Sequence, residues 1–486
     1  MSGNQPTNLP SRSARRWVLA LTSVASLMVM LDLLVVTTAL NTIRLQLGAS
    51  IEELEWTISA YTLSLAVLLM TGSALGDRFG RRRLLAVGLG VFTAASAACA
   101  LAPSIGWLIA ARAVQGVGSA MVMPLAMALL SAAFPAEQRA RALGFFSGIT
   151  GLATVGGPLV GGAVVQGLAW QWIFWLNVPI GLLLVPLVLR RVEESYGSGT
   201  RLDPGGLALV TGAALGLVWG LVRANGSGWA SLEVVGSLAG GALLLVGFVA
   251  WELRAAEPML PMRFFRSRAF SAGNTAGFLL YGAIFGAAFF ITQFLQTTLH
   301  YGPLGAGLRL VPWTVTLSLV APLAGAAVNR LGERPLIVTG LLLQAAGFAW
   351  IALAARPGLA YAALVPPLVV AGCGVSMAMP AAQNAVIGAV PRGAIGKASG
   401  TFNTLRQLGG TFGIAILAAV FSGAGGYASA QAFSDGFTAA TLVAAGMSLA
   451  AAVAGLFTPG RRTAAVPVAA PATVPAPAPA VRAGGG

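Results

Sequence analysis

The sequence predicts an all-α integral membrane protein of fourteen transmembrane helices, built as two pseudo-symmetric six-helix bundles with two helices inserted between them. Three observations carry this. Of its 486 residues, 57% are hydrophobic and only 9% charged, against a charged share of about 25% in soluble domains. Apolar runs of about 18–25 residues recur between short polar breaks, each long enough to span a hydrocarbon core of about 30 Å. The third is an internal repeat. Gly116-Val-Gly-Ser-Ala-Met121-Val-Met123-Pro124 returns as Gly372-Cys-Gly-Val-Ser-Met377-Ala-Met379-Pro380, and Leu75-Gly-Asp77-Arg78-Phe-Gly80-Arg-Arg82 returns, decayed, as Ala327-Val-Asn329-Arg330-Leu-Gly332-Glu-Arg334. Two related six-helix halves imply an axis along the membrane normal and a binding cavity where they meet.

In chain order, the first half (17–189) contains runs 17–40, 56–75, 84–102, 105–130, 143–165 and 173–189. Run 17–40 is too long for a removable signal peptide and carries Asp32. Runs 205–222 and 232–251 have no repeat partner and form the inserted pair, 205–251. The second half (271–457) contains 271–295, 308–328, 335–354, 361–382, 400–421 and 437–457. Residues 1–16 form an N-terminal segment, and 459–486, rich in Ala, Pro and Val, read as a disordered tail.

The formal charge of +15 would suggest nucleic acid in a soluble protein, but its distribution points to topology. With the N-terminus inside, only Arg44, Arg223, Arg309 and Arg356 of the 29 basic residues fall at the outer side, and Arg112 and Arg406 fall within runs. The positive-inside rule then places both termini in the cytoplasm, with no nucleic acid among the partners; the near-total use of Arg over Lys and the abundance of Ala and Gly suggest a GC-rich genome, and hence a bacterial cytoplasmic membrane. Cys99 and Cys373 lie inside runs and give neither a disulfide framework nor a metal site. His300, the single histidine, falls in an outer loop. No G-x-x-x-x-G-K-[S/T] loop occurs, so nucleotide hydrolysis by that route is excluded.

Asp32 is the outstanding candidate for chemistry. A charge at the centre of a membrane helix costs about 2.5–3.5 kcal/mol on insertion scales, so packing alone does not account for it. Arg112 lies in a later run of the same half, and the depths match: at 1.5 Å per residue Asp32 is about 12 Å, and Arg112 about 10 Å, from the outer ends of their runs. The repeat counterpart of Arg112 is Leu368, and the second half shows no buried acid of this kind. A single proton-coupling pair, Asp32 and Arg112, is expected, with a static buried ion pair as the alternative.

Several segments resemble the fourteen-helix drug:proton antiporters of the major facilitator superfamily, over nearly the whole chain. Ser73-Ala-Leu75-Gly-Asp77-Arg78-Phe-Gly80-Arg81-Arg82-Arg83 is similar to the superfamily's loop 2–3 signature, with Ser73 in place of its first glycine. Arg112-Ala-Val-Gln115-Gly116-Val-Gly118 is similar to the fourth-helix motif, and Gly156-Gly157-Pro158-Leu-Val-Gly161-Gly162 to the fifth-helix motif of antiporters. Leu31-Asp32 through Asn41 resembles the first-helix motif, and Trp170-Gln-Trp172 through Asn177 and Gly181 the loop 5–6 signature.

The resemblance implies the major facilitator fold and a conformational latch at Asp77, Arg78, Gly80 and Arg81. It further implies an export direction set by Gly157, Pro158, Gly161 and Gly162, and no cofactor, the proton gradient being the driving force. Polar or aromatic residues within runs (Tyr61, Gln115, Tyr281, Gln293, Trp313 and Gln383) are candidate walls of a cavity for a small amphipathic organic substrate. The expected protein is a monomeric, lipid-embedded efflux antiporter and not an enzyme. A proton symporter for solute uptake is the alternative, and a non-transporting sensor a third.

Overall fold

The structure, a computed structural model, describes residues 11–197, 203–391 and 394–460. The predicted tail therefore falls outside the described residues from 461 onward, as do Arg201 and Arg392. Sixteen α-helices follow in order: α1 (Arg12–Leu47), α2 (Ile51–Phe79), α3 (Arg81–Ala100), α4 (Ile105–Ala133), α5 (Ala136–Gly167), α6 (Trp172–Trp175), α7 (Asn177–Arg191), α8 (Pro204–Ser227), α9 (Leu232–Glu252), α10 (Arg268–Thr297), α11 (Pro303–Arg309), α12 (Val311–Leu331), α13 (Glu333–Ala354), α14 (Val365–Ile387), α15 (Ile395–Ala424) and α16 (Ala430–Leu456). Among the described residues, 14 helical segments are long and apolar enough to cross a membrane. Two expected runs are interrupted. The sixth is divided between α6 and α7 at Leu176, and the tenth begins earlier than expected, as the short α11 followed by α12.

Polar caps set the helix starts. Ser50 and Glu53 form a reciprocal capping box at α2, the Glu53 backbone N–H donating to Ser50 Oγ at 3.2 Å and the Ser50 N–H to Glu53 Oε2 at 2.8 Å. Ser104, Ser231, Ser267 and Ser429 cap α4, α9, α10 and α16 in the single-donor manner. The decayed repeat becomes visible at the helix breaks. Gly80 (φ 106°) turns α2 into α3 and Gly332 (φ 85°) turns α12 into α13, both in a region of backbone space that favours glycine.

The better-preserved repeat places matching glycines at matching contacts. On α4, a Cβ at Gly118 would lie 2.6 Å from the backbone N of Phe92 on α3, and one at Gly116 would strike the Tyr61 carbonyl on α2. On α14, a Cβ at Gly374 would strike the Gln344 backbone on α13, and one at Gly372 would lie 2.7 Å from the Trp313 carbonyl on α12. Without a water-driven hydrophobic effect between helices in lipid, such close backbone approach supplies the packing. Helices α1–α7 therefore pack mainly on one another, and α10 and α12–α16 likewise, while the short α11 packs mainly on α5. Helices α8 and α9 pair through Gly216 and Gly241, and α8 lies against α2 and α15, where Trp56 and Trp219 meet at 5.6 Å.

The distribution of the core defines the conformation. At the end away from the termini, one continuous cluster joins Val35, Leu40 and Ile43 of α1 to Phe290 and Phe294 of α10, Ile414 and Phe421 of α15, and Phe433 and Phe437 of α16. At the arginine-rich end there are two separate large cores, one around Leu65, Leu89 and Leu125, the other around Leu280, Ile337 and Ala382. Helices α5 and α12 part in the same direction: Gly144, Gly148 and Gly151 of α5 and Gly325 of α12 face open space, and Leu323 is 70% exposed. The molecule is closed at the far end and open toward its arginine-rich end.

The closure rests on small residues, so it can be forced. A Cβ at Gly162 would lie 2.6 Å from Leu304 Cα, and Gly162→Leu is expected to part α5 from α11. In a background lacking Cys99 and Cys373, a reporter cysteine at Thr38 should then react faster with a membrane-impermeant maleimide applied at the far side than in the glycine parent. Equal labelling would show that this contact does not hold the seal.

Candidate functional site

Five helical elements converge on Asp32. It projects from the middle of α1 and is 1% exposed, and Arg112 of α4 is fully buried. Arg112 Nη1 donates to Asp32 Oδ2 at 2.5 Å, a charge-assisted contact with no side-chain exposure on either partner. The matching depths inferred from sequence thus correspond to direct contact. The other carboxylate oxygen, Oδ1, accepts from Gln115 Nε2 at 2.9 Å and from Asn177 Nδ2 at 2.8 Å. Every one of these partners donates, the pattern a deprotonated carboxylate accepts.

Around this pair the polar groups are closely matched. Gln115 is three residues after Arg112 and so on the same face of α4; its Oε1 accepts from Arg112 Nη1 at 2.6 Å and its Nε2 donates to Ser96 Oγ of α3 at 2.8 Å. Arg112 Nε donates to the Thr57 carbonyl of α2 at 3.2 Å, and its guanidinium lies over the Tyr61 ring, 4.2 Å from the centroid. Tyr61 OH is 2.8 Å from Ser119 Oγ. Arg112 Nη2 is buried without a partner. One guanidinium donor is therefore left unused in this conformation, a specific cost that another arrangement of the site can relieve.

The loop 2–3 signature lies at the arginine-rich end. Arg81 Nε donates to Asp77 Oδ1 at 2.8 Å across the Gly80 turn, while Arg78 is exposed, its guanidinium over the Phe79 ring. Sequence reasoning missed the strap that covers this turn. Glu194, beyond α7, accepts from the backbone N–H of Arg82 at 2.8 Å and of Arg83 at 3.3 Å, where the positive end of the α3 dipole favours a carboxylate. Its side chain also lies 3.6 Å from Arg82 Nε, and the Gly197 N–H donates to the Asp77 carbonyl. A Cβ at Gly80 would meet the Glu194 carboxyl carbon at 2.7 Å, so glycine there serves both turn and strap.

The fifth-helix glycines make contacts on two sides of α5. Gly157 faces Leu34, whose Cβ would be 2.6 Å from an added Cβ, and Gly161 faces Thr38 and the Val35 carbonyl, which bring α1 against α5. Gly162 faces Leu304, and the Pro158 carbonyl lies against Gly307, which brings α11 against α5. The motif thus sits where the two halves meet at the closed end.

Of the six candidate cavity walls, five are buried here. Tyr61 and Gln115 belong to the Asp32 network, and Trp313 packs edge-on against Phe348. Gln293 Oε1 accepts from the Tyr427 hydroxyl in the closed end. Burial pushes the Tyr427 phenol up, which keeps it a donor, and Arg44 lies over its ring at 4.4 Å. Tyr281 is buried beneath Arg406, and Gln383 is partly exposed. Polarity within a run therefore marked structural hydrogen bonding more often than a wall. Asn177 lay inside a recognised signature, and its amide beside a lone acid was a usable signal; Ser96 and Glu194 offered none.

Removing one member of a buried ion pair costs about 3–5 kcal/mol, because the other is left uncompensated. Thermal unfolding in detergent is expected to show Arg112→Leu strongly destabilised and the double variant Asp32→Asn, Arg112→Leu less so. Additive losses would show that the pair does not couple.

The comparisons with known proteins agree with this architecture. A family model described as Major Facilitator Superfamily matches residues 22–414 and 273–483. The chain is 34% identical over 456 residues to the tetracenomycin C resistance and export protein of Streptomyces glaucescens, covering 93% of this chain and 84% of that one. It is also 34% identical over 403 residues to the multidrug resistance protein Stp of Mycobacterium tuberculosis, covering 82% and 75%. Among solved structures, a POT family transporter in complex with a thioalcohol-conjugated peptide superposes with a TM-score of 0.69 at 14% identity, covering 90% of this chain and 94% of that one. With its fourteen apolar spans, its paired halves and the match over most of its length, the chain belongs to the Major Facilitator Superfamily and is a membrane transporter, not an enzyme.

Proposed function

We propose that this chain is a proton-coupled antiporter that exports amphipathic drugs or antibiotics across the cytoplasmic membrane. The single observation that carries the proton site is the Asp32–Arg112 contact, a fully enclosed charge pair in a bundle with few other intramembrane charges. Export is supported by the relatives, named for tetracenomycin C export and multidrug resistance. It is supported also by the glycine motif of α5 at the contact between halves.

In this reading both termini are cytoplasmic, the arginine-rich end faces inward, and the structure is inward-open. The working units are 17–189, 205–251 and 271–457, acting as a monomer in lipid without cofactor, metal or nucleic acid. Drug enters from the cytoplasm or inner leaflet while Asp32 is held ionised by Arg112, Gln115 and Asn177. Opening of the outer seal hydrates the pair, Asp32 takes a proton, and drug leaves. Return to the inward state restores the donors around Asp32 and expels the proton inward. Asp77, Arg81 and the Glu194 strap hold the inner end of α2 and α3 in one arrangement and release it in another. A proton crossing 100 mV supplies about 2.3 kcal/mol, enough for about a fiftyfold gradient at one-to-one exchange.

Everted membrane vesicles with a preset acid interior test the direction. Addition of a substrate drug should dissipate the gradient, and Asp32→Asn should abolish that response while the protein remains inserted. No response across a broad drug panel would refute export, and retained coupling in Asp32→Asn would refute the proton site. In the same assay Glu194→Gln, which weakens the strap but leaves Asp32 untouched, should lower the rate severalfold without abolishing coupling.

A further inference from the structure

Arg406, near the middle of α15, is an intramembrane charge that the proton site does not use. It lies about 16 Å along α15 from Ile395, with about 27 Å remaining to Ala424 at 1.5 Å per residue, a depth at which a cation without a partner is costly. Arg44 and Arg309 also have a buried, unpartnered Nε, but both lie at the ends of their helices, against Tyr427 and Tyr301. Arg112 pairs with Asp32, Arg223 bridges Glu52 and Glu233, and Arg309 rests on Tyr301 and donates to the Gly305 carbonyl. Among the described residues no carboxylate lies within 4.0 Å of Arg406, and its Nε is buried without a hydrogen-bond partner. Its guanidinium lies 5.2 Å from the centroid of the Tyr281 ring on α10.

The surroundings indicate what Arg406 faces. Along α15 the polar positions Ser399, Asn403 and Arg406 are partly exposed at helical spacing, whereas residues 407–411 are all buried. The accessible stripe that begins at the arginine-rich end therefore stops at Arg406. Just beyond it, Gly410 is covered by the ring of Phe285, a residue packed against the cores of both halves and at 6.1 Å from Tyr281. Arg406 thus lies at the top of the open space between the halves, with aromatic surface beside it and unused donors.

We propose that Arg406, resting on Tyr281, binds the anionic group of an amphipathic substrate (a carboxylate, sulfonate or phenolate on an apolar ring system) and selects for it in the transport cavity. A planar guanidinium held by one face on an aromatic ring keeps its edge free for bidentate contact with an oxyanion, and Phe285, partly exposed beside Tyr281, offers the substrate's rings an aromatic surface. This names the substrate class of the exporter proposed above and rests on that reading. It has an energetic corollary: an anion leaving and a proton entering move charge in the same sense, so a one-to-one exchange carries two elementary charges per turnover.

The test uses two fluorescent probes of nearly the same shape, the anionic 1-anilinonaphthalene-8-sulfonate and the neutral N-phenyl-1-naphthylamine. Both are titrated into the full-length protein in lipid nanodiscs, with empty nanodiscs subtracted. A hydrogen-bonded charge contact predicts that the sulfonate binds at least about tenfold more tightly, and that Arg406→Gln removes this preference while leaving the neutral probe unchanged. Arg406→Lys should keep part of it. Equal binding of the two probes to the parent, or equal weakening of both by Arg406→Gln, would assign Arg406 to packing and overturn the proposal. Such a failure is distinct from failure of the export reading, because gradient dissipation by neutral or cationic drugs in everted vesicles would persist.

Discussion

The contact between Asp32 and Arg112 is the constraint on which the rest of the first half depends. Two opposite charges have been removed from water completely, and their attraction offsets that penalty only if the remaining donors and acceptors are also matched. This explains why the bundle brings an amide from α4, an amide from the start of α7, a hydroxyl from α3 and a backbone carbonyl from α2 to one point. Asn177, the first residue of α7, contributes its amide from a helical backbone that runs on through Leu176. A network in which every group but Arg112 Nη2 is paired is bistable rather than compliant, since a small opening loses several bonds at once. That is the property a proton switch needs.

Small residues supply the complementary freedom. The two halves touch through Gly162 and Leu304, Gly307 and the Pro158 carbonyl, and Thr62 and Thr411, whose hydroxyls are 2.8 Å apart. These are contacts of short reach, so a modest tilt of one half separates many of them together. The apolar core behaves the same way: it is continuous across the halves at the closed end and divided at the other. Transport in this fold exchanges one continuous core for another at the opposite end, and the Glu194 strap on α3 belongs to the arrangement in which the arginine-rich end is open.

Much of this was legible in the sequence, for identifiable reasons. Fourteen spans follow from hydropathy because lipid forces every backbone polar group into helical hydrogen bonds. The repeat was readable because Gly116, Gly118, Gly372 and Gly374 cannot change without a clash against a neighbouring backbone. Asp32 and Arg112 stood out because charge is rare in these runs. What was not legible was of a different kind. Ser96 and Glu194 are ordinary residues made important by partners 19 and 112 positions away in sequence. Gln293 and Trp313 were candidate walls because polar or aromatic character within a run says nothing of what neighbouring helices place against it, here Tyr427 and Phe348.

The inserted pair α8–α9 has an effect beyond filling space. Helix α8 lies against both α2 and α15, reinforced by the Trp56–Trp219 contact and by Arg223 reaching Glu52, whereas among the described residues no helix lies in the same way over the opposite seam between α5 and α12. The twofold relation between the halves is thereby broken in the plane of the bilayer: one flank is bound like the spine of a book, and the other is the fore-edge. Lipid-dissolved molecules meet a splinted wall on one side and a parting seam on the other.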